Sequence, residues 1–244
     1  MLKHTLIAGL ITASAFAHSQ PALDIGGVKF GASLESQKAQ MQKVNPQYQF
    51  SEIKTREGKV LGWQGIATNK NNGVNDQLLA LQDDNGKIWY LGRVQKFDEG
   101  MHIPHDTYLA ALKEKYGEPS SLSRDKQDFS WIYGRNYVFI KGPNPPSGIC
   151  PSQAGGDVRT PRTEMSQLKS DGINMPVPGA FEPRCGLQMN VKLYKGVNSS
   201  MVFGSEIQII EHQSRYDALE KKQQAADAAK QKAIDAMQGN KPKL

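Results

Sequence analysis

The chain has 244 residues, and its 30 Lys and Arg against 24 Asp and Glu give a formal net charge of +6. The mean hydropathy of −0.55 is low, but an aromatic content of 8% is enough to build a core and excludes wholesale disorder. Two cysteines exclude a disulfide-dense mini-scaffold and a cysteine-only zinc cluster. The composition predicts a secreted, moderately basic, mostly antiparallel domain.

The first 17 residues have the pattern of a secretory signal peptide. Lys3 gives a positive start, Leu6–Ile11 is a short apolar core, and Ala15-Phe16-Ala17 fits the small-x-small cleavage rule. The apolar run is too short for a stable transmembrane helix, although an uncleaved anchor is the alternative. We expect a Sec-type signal peptide (1–17) cleaved after Ala17, a periplasmic or secreted protein, and no transmembrane segment in the mature chain.

The predicted elements of the first half begin with a short apolar stretch at 25–30, interrupted by glycines. Ser33 has the position of a helix N-cap, and Asn45-Pro46 ends that helix. Strand-like segments follow at 47–54, 60–68, 78–81 and 88–97. Asn85-Gly86 predicts a hairpin with a type I′ turn. On the strand that follows, alternation places Trp89 and Tyr90 on opposite faces.

The second half repeats this order of elements. A helix is predicted from Pro104 to Tyr116, ended by Gly117, and strands are predicted at 129–133, 137–141, 187–193 and 201–209. We therefore predict an α+β fold: an antiparallel sheet built from two α–β4-like halves, with two packed helices and a polar C-terminal helix. The predicted domain is 18–212, with halves of about 25–98 and 99–212.

The two cysteines belong to a segment without periodicity. In an oxidising compartment Cys150 and Cys185 are expected to form a disulfide; two redox-active thiols are the alternative, but the usual C-x-x-C spacing is missing. Residues 142–184, called the long loop below, hold eight prolines. We predict that the long loop is held by the disulfide and stays outside the core.

The tail after residue 212 is polar and rich in Ala, Gln and Lys. Residues 213–244 carry seven basic and four acidic side chains, which is more than half of the excess charge of the mature chain. We predict a solvated helical or partly disordered tail; a partner-binding or weakly oligomerising helix is the alternative. The charge indicates weak attraction to an anionic envelope surface, and no nucleic-acid binding is predicted.

Two histidines form the strongest candidate for chemistry. His102, His105 and the neighbouring Asp106 could ligate a divalent metal. The alternative is a polar loop leading into the second helix, because Pro104 separates the two histidines at a helix start. Nucleophile motifs are missing from the sequence. No cofactor and no catalytic residues are predicted, and the interpretation leans away from an enzyme.

The tryptophans have two interpretations. Trp63, Trp89 and Trp131 all fall on predicted strands, where core and cross-strand packing is the expected role. An aromatic platform for a glycan or a protein partner is the alternative.

The opening from Gly27 to Ser33, Gly-Val-Lys-Phe-Gly-Ala-Ser, resembles a strand-to-helix opening, G-V-x-F-G-x-S, of uncharacterised bacterial periplasmic and secreted proteins. The arrangement is also similar to the helix-plus-sheet modules of beta-lactamase inhibitor proteins and outer-membrane assembly lipoproteins, although this chain lacks the lipidated cysteine. The resemblance implies a sheet surface that binds protein partners. Two sheet-rich halves, a loop held by a disulfide, a separate tail and the lack of a convergent catalytic set lead us to predict an exported, non-catalytic binding protein of the bacterial envelope. The alternatives are a metal-dependent hydrolase using His102 and His105, or a periplasmic small-ligand or glycan-binding protein.

Overall fold

A computed structural model of the protein describes residues 21–70, 73–142, 149–150, 158–161, 164–165, 168, 173, 175–196 and 199–238. Its helices are α1 (Leu34–Val44), α2 (His105–Tyr116) and α3 (Gln213–Gln238), and Arg135–Tyr137 form a short 3-10 turn. The strands are β1 (Asp24–Ile25), β2 (Val28–Lys29), β3 (Gln49–Lys54), β4 (Val60–Thr68), β5 (Val74–Gln82), β6 (Ile88–Lys96), β7 (Ile103–Pro104), β8 (Ser121–Leu122), β9 (Asp128–Gly134), β10 (Val158–Arg159), β11 (Ala180–Phe181), β12 (Cys185–Lys195) and β13 (Met201–Glu211). The predicted signal peptide and its cleavage after Ala17 lie outside the described residues.

One large antiparallel sheet organises the protein, with the strand order β3-β4-β5-β6-β13-β12-β9-β8 and with β7 paired to the end of β13. The first helix precedes β3 to β6, and the second precedes β8, β9, β12 and β13. The two last strands of these halves, β6 and β13, pair antiparallel in the middle of the sheet. The predicted fold class is confirmed, including the two α–β4-like halves and the C-terminal helix.

Both sheet-packed helices begin and end where their sequence signals lie. The Ser33 hydroxyl accepts a hydrogen bond from the Ser36 amide at 3.3 Å, as expected of an N-cap. Gly117 follows α2 with a φ of 78°, a left-handed conformation that glycine adopts without steric cost. Buried side chains of both helices, including Met41 and Leu112, pack on the same sheet face.

The hairpin between β5 and β6 is confirmed, but its predicted turn type is wrong. Gly86 has a φ of +74°, whereas Asn85 is not among the residues with positive φ, so the two central residues of a type I′ turn are not present. Asp83 organises the turn instead: its carboxylate accepts from the amides of Asn85 at 2.8 Å and Lys87 at 2.9 Å. Positive φ at two successive residues occurs instead at Gly26 and Gly27, between β1 and β2, and at Asn136 and Tyr137 in the 3-10 turn.

The predicted strand at 137–141 is also wrong. This segment begins within the 3-10 turn and then makes a single bridge, between Tyr133 and Phe139. Tyr137 has a φ of 60°, which is incompatible with an extended strand. The outermost strand of this half is the two-residue β8, where Leu122 pairs with Phe129.

The second face of the sheet is covered by the long loop and by the start of α3. Phe181 of the long loop is fully buried, and Met175 is 5% exposed; both pack in one cluster with Leu81, Tyr216 and Leu219. The prediction that the long loop stays outside the core is therefore wrong. Apolar side chains on the second sheet face require a cover, and this irregular segment provides part of it.

The polar C-terminal helix α3 divides into a packed start and an exposed remainder. Arg215, 5% exposed, bonds to Glu164 at 2.8 Å and lies over the Trp89 ring at 5.0 Å. Lys222 forms an ion pair with Asp84. Every described side chain from 221 to 237 is exposed. In the described part of the chain, no helix is both long and apolar enough to cross a membrane.

Candidate functional site

The candidate metal ligands do not form a cluster. His105 is buried at the start of α2, where its Nε2 lies 2.8 Å from the Lys126 carbonyl oxygen and its Nδ1 lies 3.0 Å from Asp106 Oδ1. The His102 ring instead lies 6.4 Å from the Phe203 ring. Both ring nitrogens of His105 are thus occupied, and among the described residues no group of three or more His, Cys, Asp and Glu side chains could hold a metal ion.

The three tryptophans occupy different environments. Trp131 is 1% exposed and Trp89 is 4% exposed, which places both in the core. Trp63 is half-buried; its ring stacks on Phe50 at 4.2 Å and lies 5.5 Å from Lys38 Nζ. Burial leaves Trp89 and Trp131 without the exposed ring face that an aromatic platform requires.

The burial of Trp89 beside Tyr90 has a structural cause. Leu81 pairs with Tyr90 but Gln82 pairs with Ile88, so Trp89 is the extra residue of a β-bulge. A bulge interrupts the alternation of side chains along a strand. Trp89 and Tyr90 therefore both pack on the second face of the sheet, in the cluster that contains Phe181 and Leu81. The prediction that they point to opposite faces is wrong.

The predicted disulfide between Cys150 and Cys185 is confirmed, with a sequence separation of 35. Cys185 is fully buried and is the first residue of β12. The bond therefore ties the long loop to one end of a central strand.

A row of polar side chains crosses the second sheet face beside the described residues of the long loop. Ser130, Asn190 and Gln208 stand opposite one another on β9, β12 and β13, and two residues along, Asp128, Lys192 and Glu206 form a parallel row. Alternation along each strand places both rows on one face. Together with Pro176 at the edge, these six side chains line a cleft of about 360 Å³, named here the polar cleft.

Hydrogen bonds fix the side chains of the polar cleft. The Ser130 hydroxyl donates to Asn190 Oδ1 at 2.8 Å, and the Gln188 amide donates to the same oxygen at 3.0 Å. The Gln208 amide donates to Glu206 Oε1. Asp128 and Lys192 are exposed, whereas Glu206 is half-buried. The cleft thus presents one positive and two negative groups on an ordered polar floor.

An aromatic pair adjoins the polar cleft. Tyr194 pairs with Gly204 but Lys195 pairs with Val202, so Phe203 is the extra residue of a second bulge. Phe203 is 40% exposed, and its ring stacks on the Tyr194 ring at 6.3 Å.

The tyrosine of this pair connects it to the cleft. The Tyr194 hydroxyl donates to Glu206 Oε2 at 2.7 Å, and Lys192 Nζ lies 5.9 Å from the Tyr194 ring. Burial, followed by the neighbouring Glu206 carboxylate, raises the pKa of Tyr194 above its usual value, so the hydroxyl remains a hydrogen-bond donor. The cleft and the aromatic pair form one continuous surface.

Part of this surface was visible in the sequence. The alternation of Asn190 and Lys192 with apolar neighbours indicates a polar face on β12, but nothing in the local pattern marks Phe203 as a bulge. No family model matches the chain, and neither the curated proteins nor the solved structures contain a significant match. The resemblance to envelope proteins therefore remains an interpretation of the sequence.

Proposed function

We propose that the protein is an exported, non-catalytic binding protein of the bacterial cell envelope, and that it holds a protein partner on the surface formed by the polar cleft and the Tyr194–Phe203 pair. The observation that carries the proposal is the exposed Phe203 ring, which a bulge turns out beside an ordered polar surface. Protein interfaces are enriched in aromatic residues surrounded by a polar rim.

The charges of the cleft favour a macromolecular partner over a small ion. Asp128, Lys192 and Glu206 alternate in sign across three strands, and opposite charges on a partner could pair with each of them. The metal-dependent alternative lacks this kind of support, because both nitrogens of His105 already have partners. A glycan partner is the remaining alternative for this surface.

A photo-crosslinking experiment tests the proposal. A p-benzoylphenylalanine residue at position 203, in cells of the producing bacterium, is expected to give one covalent protein adduct of defined mass. Position 122 is the matched control, because Leu122 is 44% exposed but lies on the edge strand β8. Lys192→Glu combined with the probe at 203 is expected to weaken the adduct.

Two outcomes would count against a protein partner. The absence of any protein adduct at position 203 would refute the proposal of a protein partner, and a glycan would then be the occupant to test. Equal adducts at positions 203 and 122 would show that the contact is not specific to this surface.

Export is tested separately. The sequence predicts that the protein recovered from the producing bacterium begins at His18, which N-terminal sequencing determines. A protein that retains Met1 in the cell would overturn the proposed localisation. The exposed lysines of α3, such as Lys230 and Lys232, support the further proposal that the tail is weakly attracted to an anionic envelope surface.

A further inference from the structure

A groove lies on the opposite face of the sheet, between α2, the β1–β2 hairpin and the central strands β6 and β13. Its volume is about 390 Å³, which is within the range of small-molecule sites. Buried Ile25 and Leu112 and half-buried Ile207 contribute to its walls, while exposed Ala111 and Thr107 lie at its rim. The groove is therefore largely apolar inside and accessible from solvent.

Among the described residues, two cations line this groove and no carboxylate does. The first is Arg93, on the helix-facing side of β6. Its Nε donates to Asp76 Oδ1 at 3.0 Å and its Nη2 donates to Asp76 Oδ2 at 2.7 Å. Asp76 is 2% exposed and also accepts from Tyr48 at 2.7 Å and from Asn45 at 3.0 Å. This buried acid holds the guanidinium in one orientation through Nε and Nη2. Among the described residues Nη1 makes no such bond, so it can donate to another acceptor.

The second cation lies closer to solvent. Lys115 Nζ forms an ion pair with Asp24 at 2.7 Å, and its side chain is 43% exposed. An ammonium group has three donors, so this pair does not exhaust its capacity. Two neutral polar side chains, Tyr108 and Ser205, also line the groove. The Tyr108 hydroxyl donates a hydrogen bond to Ser205 Oγ at 2.8 Å.

We propose that this groove binds an anionic amphiphile of the fatty-acid class. The acyl chain lies against the apolar walls, and the carboxylate accepts hydrogen bonds from Arg93 Nη1 and Lys115 Nζ. Apolar burial supplies affinity, and charge-assisted hydrogen bonds favour a carboxylate over a neutral head group. The site is independent of the proposed protein partner, since it lies on the other face of the sheet.

Isothermal titration of the mature full-length protein with sodium dodecanoate tests the proposal, with dodecanol as the neutral analogue. We expect saturable 1:1 binding of dodecanoate, and binding of dodecanol that is at least tenfold weaker. Lys115→Gln is expected to weaken dodecanoate binding several-fold and to leave dodecanol binding unchanged. A merely structural role of Lys115 would affect both ligands alike.

A pair of tryptophan substitutions on α2 provides the steric control. Ala111→Trp places an indole at the rim of the groove and is expected to reduce dodecanoate binding at least tenfold. Ala110→Trp is the matched control, because Ala110 is exposed on the same helix and does not line the groove. The groove is refuted as the site if dodecanoate does not bind saturably, or if both tryptophan variants bind it equally. Equal affinity for dodecanoate and dodecanol would overturn the role of the cations.

Discussion

The junction between β13 and α3 contains a buried carboxyl group whose titration should control the stability of the protein near neutral pH. Glu211 is 4% exposed. Its carboxylate accepts from the Ser214 amide at 3.2 Å and from the Tyr137 hydroxyl at 3.2 Å. Burial nevertheless raises the pKa of Glu211 from 4.5 to about 7, and the nearby Asp217 adds to the increase.

The substitution Glu211→Gln isolates this effect. Because the folded state holds the Glu211 proton more tightly than the unfolded state does, its contribution to stability is present below pH 4.5 and is lost as the pH rises through about 7. The difference between the two pKa values corresponds to about 3 kcal/mol. Glutamine resembles the protonated side chain and does not titrate. The variant should therefore gain about 3 kcal/mol relative to the wild type between pH 4.5 and pH 8.

The neighbouring histidine has the opposite pH dependence. His212 is 1% exposed, and neither of its ring nitrogens has a hydrogen-bond partner among the described residues. Burial lowers the pKa of His212 from 6.5 to about 3, so its contribution is present above pH 6.5 and is lost as the pH falls. Between about pH 4.5 and 6.5 the two slopes cancel in the wild type. The difference between wild type and Glu211→Gln is therefore the informative quantity, since His212 is common to both.

Urea unfolding followed by tryptophan fluorescence, at intervals from pH 4.5 to pH 8.5, provides the measurement. Glu114→Gln is the control, because Glu114 is exposed on α2 and a surface substitution of this kind changes stability by less than about 0.5 kcal/mol. A difference between wild type and Glu211→Gln that stays constant across the pH range would refute the reasoning, whatever its size.

Three further predictions concern the cover of the second sheet face and the tail. Replacing Cys150 and Cys185 by serine should lower the free energy of unfolding by about 4 kcal/mol for a loop of this length, and hydrogen exchange should show protection lost in the long loop before the sheet. Gly92→Ala should destabilise the protein by about 1–3 kcal/mol, because its Cβ would lie 2.8 Å from Met175 Sδ; Met175→Ala in the same chain should recover part of the loss in urea unfolding. Deleting residues 223–244 should change the unfolding midpoint little, because the described side chains there are exposed; a large decrease would show that the tail contributes packing.

Local chemistry made much of the fold predictable. The hydroxyl of Ser33 marks the start of α1, and the left-handed conformation of Gly117 marks the end of α2. Each signal involves only residues that are close together in the sequence. The alternation of Leu187, Met189 and Val191 with polar neighbours predicts both the strand and its buried face, because apolar side chains recur at every second residue of a half-buried strand. Since these signals depend on short-range geometry, they can be interpreted without knowledge of the partner strands.

The long loop shows where this reasoning fails. Phe181 and Met175 are buried, but they belong to a segment whose backbone does not repeat a regular conformation. Burial then leaves no periodic trace in the sequence. The prolines predict an irregular chain, but they do not indicate whether that chain crosses a sheet face. Only the structure shows the crossing point, where Met175 packs directly against Gly92.

The two proposed sites depend on departures from the regular pattern, and this explains why the sequence did not reveal them. Alternation along β6 predicts an apolar side chain next to Leu91 on the helix-facing side, yet Arg93 occupies that position and requires the buried Asp76 as its partner. Likewise, Phe203 would be an ordinary core residue if β13 paired without a bulge. A one-residue change in register moves a side chain to the other face, and register is a property of two strands. Such exceptions to local consistency are concentrated at functional surfaces in real proteins, which is why Arg93 and Phe203 are the residues to test first.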